Sequence, residues 1–147
     1  MLISIIMPYY KGIHFLRDAM DSIKHSLSNC TVPEVSFELI VVIDDGEAKE
    51  NEGLYRDEAL SLLDEYRSAC EENLYIDIKA ITVNGRYTVA MLRNEGVRAS
   101  AGDYIYYMDS DDYILSDTLQ AMAEAVRTGC YDIITGPIEQ TMFKYAT

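Results

Sequence analysis

Basic side chains are scarce: 12 Lys and Arg stand against 25 Asp and Glu, for a formal net charge of −13. Nucleic-acid phosphates would be repelled by such a chain except at a local basic patch, and the sequence holds none, so nucleic acid is excluded as a partner. Proline is rare, at three residues, and hydrophobic side chains make up 49% of the chain, which excludes a disordered polymer. Long apolar runs are missing as well. The longest, Met1 to Pro8 and Leu39 to Ile43, fall far short of the ~20 residues that cross a bilayer. The N-terminus has no basic region and no small-residue cleavage site, so no signal peptide is expected and the predicted location is cytoplasmic. Cys30, Cys70 and Cys130 are odd in number, widely spaced and free of any CxxC pair; the expectation is reduced, mostly buried thiols, not zinc ligands or disulfides. The glycine patterns of dinucleotide sites and of the P-loop are absent, which removes those two nucleotide-binding modes.

An acidic protein can still take a nucleoside diphosphate, because charges beyond a Debye length of about 8 Å are screened. Carboxylates close to the phosphates are not screened, and a divalent cation would have to sit between the two.

What is present is an alternation of strand and helix patterns in a chain of 147 residues, the size of one domain. Ile3 to Met7 is a β-branched run closed by Pro8. Ile13, Leu16, Met20, Ile23 and Leu27 then recur at helical spacing. Phe37 to Ile43 is a nearly continuous apolar strand, as expected where both faces are covered, and it stops at the turn signal Asp44-Asp45-Gly46. Glu52 to Cys70 reads as a helix with Ala59, Leu62, Leu63, Tyr66 and Cys70 inward. Tyr75 to Val83 alternates, suggesting a half-exposed edge strand. A helix over about Thr88 to Ser100 precedes the strand Tyr104 to Met108. Asp117 and Gln120 suggest a capping box for a helix with Leu119, Met122, Ala123 and Val126 inward, ended by Gly129. Tyr131 to Thr135 is predicted as a last strand.

This order implies right-handed crossovers, a mostly parallel sheet and a three-layer α/β/α fold. Ligands of such sheets bind beyond the carboxyl ends of the strands, where strand order reverses. The polar clusters fall at those ends: Pro8-Tyr9-Tyr10, Asp44-Asp45 and Asp109 to Asp112. Asp109, Asp111 and Asp112 crowd three carboxylates into four residues, either a solvated loop or a site for Mg²⁺ or Mn²⁺. An EF-hand loop fails, because Tyr113 and Ile114 stand at its fifth and sixth positions. Asp44 and Asp45 are either turn residues or acceptors for a base with an N3–H donor, as in uracil. Tyr9 and Tyr10 either stack on a base or fill the core edge. Arg86 and Arg93 either contact phosphate or pair with surface carboxylates, while His14 and His25 read as structural.

Taken together, Ser4 to Tyr10, Phe37 to Gly46, Arg93-Asn94-Glu95-Gly96-Val97, Ala101 to Ile105 and Met108-Asp109-Ser110-Asp111-Asp112 resemble, in order and spacing, the family 2 glycosyltransferases of GT-A fold. The resemblance implies a single nucleotide-sugar-binding domain over residues 1–147, with the acceptor-binding half short or missing and the general base beyond Thr147. It implies that Pro8, Tyr9 and Tyr10 line a base pocket, that Asp45 or Asp44 holds the base edge, and that Arg86 or Arg93 lies near the phosphates. Asp109 would contact ribose or metal beside Ser110, Asp111 would ligate Mn²⁺ or Mg²⁺, and Asp112 would support it. The implied reaction is inverting transfer from a nucleoside-diphosphate sugar, most simply a UDP-sugar, to a saccharide or lipid-linked acceptor, as in polysaccharide biosynthesis. A non-catalytic nucleotide-sugar-binding module or inactive homologue is the alternative. Peripheral membrane contact, a partner protein or a homodimer are the assemblies left open.

Overall fold

The computed structural model describes residues 1–46, 53–69, 76–85 and 87–138. Eight elements alternate: β1 (Leu2–Tyr9), α1 (Ile13–Ser28), β2 (Ser36–Asp44), α2 (Leu54–Ser68), β3 (Asp77–Val83), α3 (Val89–Ala99), β4 (Tyr104–Tyr107) and α4 (Thr118–Arg127). The strands form one sheet in the order β3-β2-β1-β4 with every pairing parallel. β1 therefore lies between β2 and β4, in register from Leu2 opposite Ser36 to Tyr9 opposite Ile43, and from Ile3 opposite Tyr104 to Ile6 opposite Tyr107.

The two inner strands carry apolar side chains at nearly every position because both of their faces are covered. Ile3, Ile5, Met7 and Tyr9 of β1, with Phe37, Leu39, Val41 and Ile43 of β2, join the inward stripes of α1, α2 and α4 in the main core. The opposite face buries Ile6, Ile40 and Val42 against Leu92 of α3 and Val83. Helices on both faces make three layers. β1 leads through α1 to β2 on one side, whereas α3 delivers the chain to β4 on the other. Strand order thus reverses between β1 and β4, and the loops there diverge.

Two glycines let α3 and β4 come this close. A Cβ on Gly96 would lie 2.3 Å from Ile6 Cγ2, and one on Gly102 would lie 2.3 Å from Ser4 Oγ and 2.8 Å from the Ser4 backbone nitrogen. Beneath Gly102 the carboxylate of Glu38, only 2% exposed, accepts from Ser4 Oγ (2.6 Å), Lys79 Nζ (2.6 Å) and the Ala101 N–H (2.7 Å). Asp103 Oδ2 accepts from the Leu2 N–H at 2.9 Å, fixing the start of β1 to the start of β4.

Three expectations are corrected. Tyr131–Thr135 is not a strand: the outer edge of β4 has no partner among the described residues, and Ile133 is left 81% exposed. Apolar pattern reports a preference for pairing, not the presence of a neighbour. Asp117 does not cap α4 with its side chain. Ser26 Oγ of α1 accepts from the Leu119 N–H at 3.0 Å instead, and Gln120 Oε1 reaches across to the Thr31 N–H at 2.8 Å. The thiols are not mostly buried: Cys30 is half-buried and Cys130 is exposed, because it follows Gly129 into the unpaired segment. Cys70 lies outside the described residues. No helix among the described residues is long and apolar enough to cross a membrane.

Candidate functional site

Parallel pairing puts the ends of β1, β2 and β4 on one rim, so three loops that are distant in sequence meet there. At the end of β4 the chain turns back through an Asp112 N–H to Asp109 C=O bond of 3.1 Å. This tight turn gathers Asp109, Asp111 and Asp112 until one carboxylate oxygen from each lies within 4.8 Å of the others. Asp109 is half-buried and the other two are exposed, with Ser110 half-buried between them. Burial, and then the charges of Asp111 and Asp109, push the Asp112 carboxyl above the usual aspartate range. Three hard oxygen donors under mutual repulsion fit a small divalent cation, which prefers carboxylate and water ligands.

Arg93 reaches this cluster from α3. Its Nη2 donates to Asp109 Oδ1 at 2.8 Å, and its guanidinium stands 5.7 Å from the Tyr107 ring centroid. Its Nε is buried without a partner among the described residues. The arginine therefore neutralises one carboxylate of the three and keeps a donor in reserve. Arg86 lies outside the described residues.

At the end of β2, Asp44 and Asp45 divide their tasks. Asp44 Oδ1 accepts from the Gly46 N–H at 2.9 Å, an Asx turn. Gly46 has φ of 69°, and a Cβ there would lie 2.9 Å from Tyr10 Cε2, so the ring rests against bare backbone. Asp45, 7% exposed, is held by its own N–H to Val83 C=O (3.0 Å), and its Oδ2 accepts from Arg56 Nη1 (3.0 Å). Its Oδ1 is buried and has no hydrogen-bond partner among the described residues.

At the end of β1 the two tyrosines part company. Tyr9 is 1% exposed within the main core, and burial first, then Glu58 and Tyr55, push its hydroxyl up to about 12. Tyr10 is 43% exposed, meets Tyr55 edge-on with centroids 5.9 Å apart, and has Lys11 Nζ 5.8 Å from its ring centroid. Pro8 is buried just beneath. The rim thus gathers Pro8, Tyr10, Asp44, Asp45, Arg93 and Asp109 to Asp112, while Tyr9 points into the core. Sequence reading missed Tyr55 and Arg56, which come from the first turn of α2. Nothing in the spacing of an arginine eleven positions from its carboxylate signals the pairing.

Residues 4–144 match Glycosyl transferase family 2, and the chain belongs to that family. It is 30% identical over 139 residues to a poly(ribitol-phosphate) beta-glucosyltransferase of Bacillus spizizenii, a match covering 95% of this chain and 19% of that protein. Over 133 residues it is 27% identical to the uncharacterized glycosyltransferase EpsJ of Bacillus subtilis, covering 90% and 33%. A crystal structure of residues 1–349 of Staphylococcus aureus TarS superposes with a TM-score of 0.67 at 22% identity, over 98% of this chain and 40% of that one. That likeness establishes the GT-A-type α/β fold. The chain spans 19% to 33% of the length of these curated relatives.

Proposed function

We propose that this chain is a nucleotide-sugar-binding domain that transfers a sugar from a UDP-sugar to an acceptor hydroxyl, with inversion and with help from Mn²⁺ or Mg²⁺. The observation that carries this reading is the convergence of three carboxylates to within 4.8 Å at the point where strand order reverses. S. aureus TarS, whose fold the chain shares, has been crystallised with UDP and with UDP-GlcNAc.

In this reading Tyr10 and Pro8 wall the base pocket, and Asp45 receives the N3–H of uracil. Asp45 is favoured over Asp44 because Asp44 already serves the Gly46 turn, whereas Asp45 Oδ1 is unclaimed. Asp111, with Asp109 and Asp112, would hold the cation, which when bound offsets negative charge on the departing nucleoside diphosphate. Arg93, beside Asp109, supplies positive charge next to the phosphates; Ser110 and, from its place in the sequence alone, Arg86 are further candidates for contact with the nucleotide sugar. In the transfer, the acceptor oxygen bonds to the anomeric carbon as the bond from that carbon to the diphosphate oxygen breaks, and the hydroxyl proton passes to a base. None of the described residues is assigned as that base. The name of the poly(ribitol-phosphate) beta-glucosyltransferase supports a polyol-phosphate polymer as acceptor; a saccharide or lipid-linked acceptor and a cytoplasmic location complete the proposal.

Calorimetric titration with UDP, with and without Mn²⁺, tests the site. Binding should require the metal, and Asp111→Asn should abolish it while the melting temperature stays level or rises, since like-charge repulsion is relieved. Unchanged binding by that variant, or its failure to fold, would remove Asp111 from the site. Binding of UDP-sugars with no transfer to any polymer acceptor would favour the non-catalytic module.

A further inference from the structure

The first turn of α2 sits against the β2 end of the rim, and its role goes beyond packing. Arg56 Nη1 lies 3.0 Å from Asp45 Oδ2, and Arg56 Nε lies 3.0 Å from Asp57 Oδ1, so the guanidinium is braced on one side and grips Asp45 on the other. Space for it is built into the backbone. Gly53, at φ 82°, precedes the helix, and a Cβ there would stand 2.5 Å from Arg56 Nη2. The neighbouring Tyr55 supports Tyr10, so consecutive residues of one turn brace both the aromatic wall and the acidic edge.

We infer that Arg56 is a specificity-determining positioning residue, which immobilises Asp45 by holding Oδ2 and leaves Oδ1 as the carboxylate oxygen with a place for a nucleobase donor. This rests on the reading of Asp45 as the base contact. A carboxylate is free to turn about its Cβ–Cγ bond, and a turned carboxylate presents no fixed acceptor. With Oδ2 committed to a braced guanidinium, Oδ1 is fixed and has no donor among the described residues, and because it is closed to solvent a base reaches it by displacing what covers it. Leaving such an acceptor unpaired is costly, and an N3–H in the right place removes the cost, whereas the N3 lone pair of cytosine opposes the carboxylate. A fixed acceptor also spares the ligand the entropy of ordering the side chain on binding.

The test measures the ratio of UDP to CDP affinity in Mn²⁺ by calorimetry, for the parent chain, Asp45→Asn, Arg56→Ala and Arg56→Lys. The parent should prefer UDP by about tenfold or more. Asp45→Asn should lose the preference, because an amide can turn to serve either base. Arg56→Ala should cut it to about threefold or less, and Arg56→Lys, a point charge without a fork, should fall between. If Arg56→Ala does not fold, the lysine variant decides. A purely structural arginine would weaken UDP and CDP equally and leave the ratio at its parent value, which overturns the inference while Asp45→Asn still shows the loss. A preference that survives Asp45→Asn overturns the base contact, and the role of Arg56 with it.

Discussion

At 2% exposure, the carboxylate of Glu38 persists inside β2 because three donors surround it. Desolvation is the largest influence and would raise its pKa, but the Ala101 N–H, Lys79 and Ser4 together hold it below the usual glutamate range. A depressed folded-state value contributes stability that is complete above the unfolded pKa of about 4.3 and is lost as pH falls through the folded one. Glu38→Gln should therefore be less stable by about 1–3 kcal/mol at neutral pH and show a flatter decline into acid than the parent. Urea titrations at neutral pH and below about pH 4 would read both; a parallel acid decline in the two proteins would remove Glu38 as the titrating group. Sequence alone gave no warning of this role, since Glu38 reads as an interruption in an apolar run. Its partners come from β1, β3 and the α3–β4 turn, and only the parallel register brings them together. The acidic rim was more legible, because Asp109, Asp111 and Asp112 are adjacent in the chain and need one tight turn to converge.

Elements differ in how far they announce themselves. α1 and α4 were readable from spacing, as their buried residues Leu16, Met20 and Ile23, and Leu119, Ala123 and Val126, fall on the expected stripes. Their fastening was not, because Ser26 of α1 satisfies the start of α4 across space where a local box with Asp117 was expected. The missing strand at Tyr131–Thr135 fails for the same reason, since pairing needs a partner that local pattern cannot supply. The α3–β4 unit makes a sharper claim. Alanine at position 96 would ordinarily favour a helix, yet here its Cβ meets Ile6 Cγ2 at 2.3 Å. Gly96→Ala should cost about 1–3 kcal/mol through overpacking. Gly102→Ala should cost more, because its Cβ meets backbone at Ser4 N (2.8 Å) and Tyr104 O (2.9 Å), which cannot rotate away. Urea denaturation of the two variants would settle the order, and equal stability to the parent would show that α3 is not seated by Gly96, or that β4 does not depend on the close approach at Gly102.

For the molecule as a whole, a charge of −13 is carried on a fold whose ligand is itself anionic in the proposed reading. Self-repulsion of this size should make the metal-free protein more stable in added NaCl, since screening shortens the reach of every carboxylate. Mn²⁺ should do more than NaCl of equal ionic strength, because a site bound only in the folded state adds about 2.7 kcal/mol at a hundred times its Kd. Thermal melts would show the excess in the parent and its loss in Asp111→Asn; no excess in the parent would mean that the rim attracts ions only diffusely. The overall architecture was legible from alternation alone. The strand order was not, because nothing in the local pattern says that α3 carries the chain past β2 and β1 to the far side.

That order has a metric consequence. Asp45 hangs from β2 and Asp109 from β4, with β1 between them. Neighbouring strands sit about 4.8 Å apart, so two spacings set a lateral offset of roughly 10 Å between the proposed base-contact edge and the carboxylate cluster. Backbone hydrogen bonds between the strands hold that offset. In the proposed reading a ligand engages both edges only if its ring and its phosphates are separated by a matching span, so the sheet would select molecules by length before any side chain selects them by chemistry.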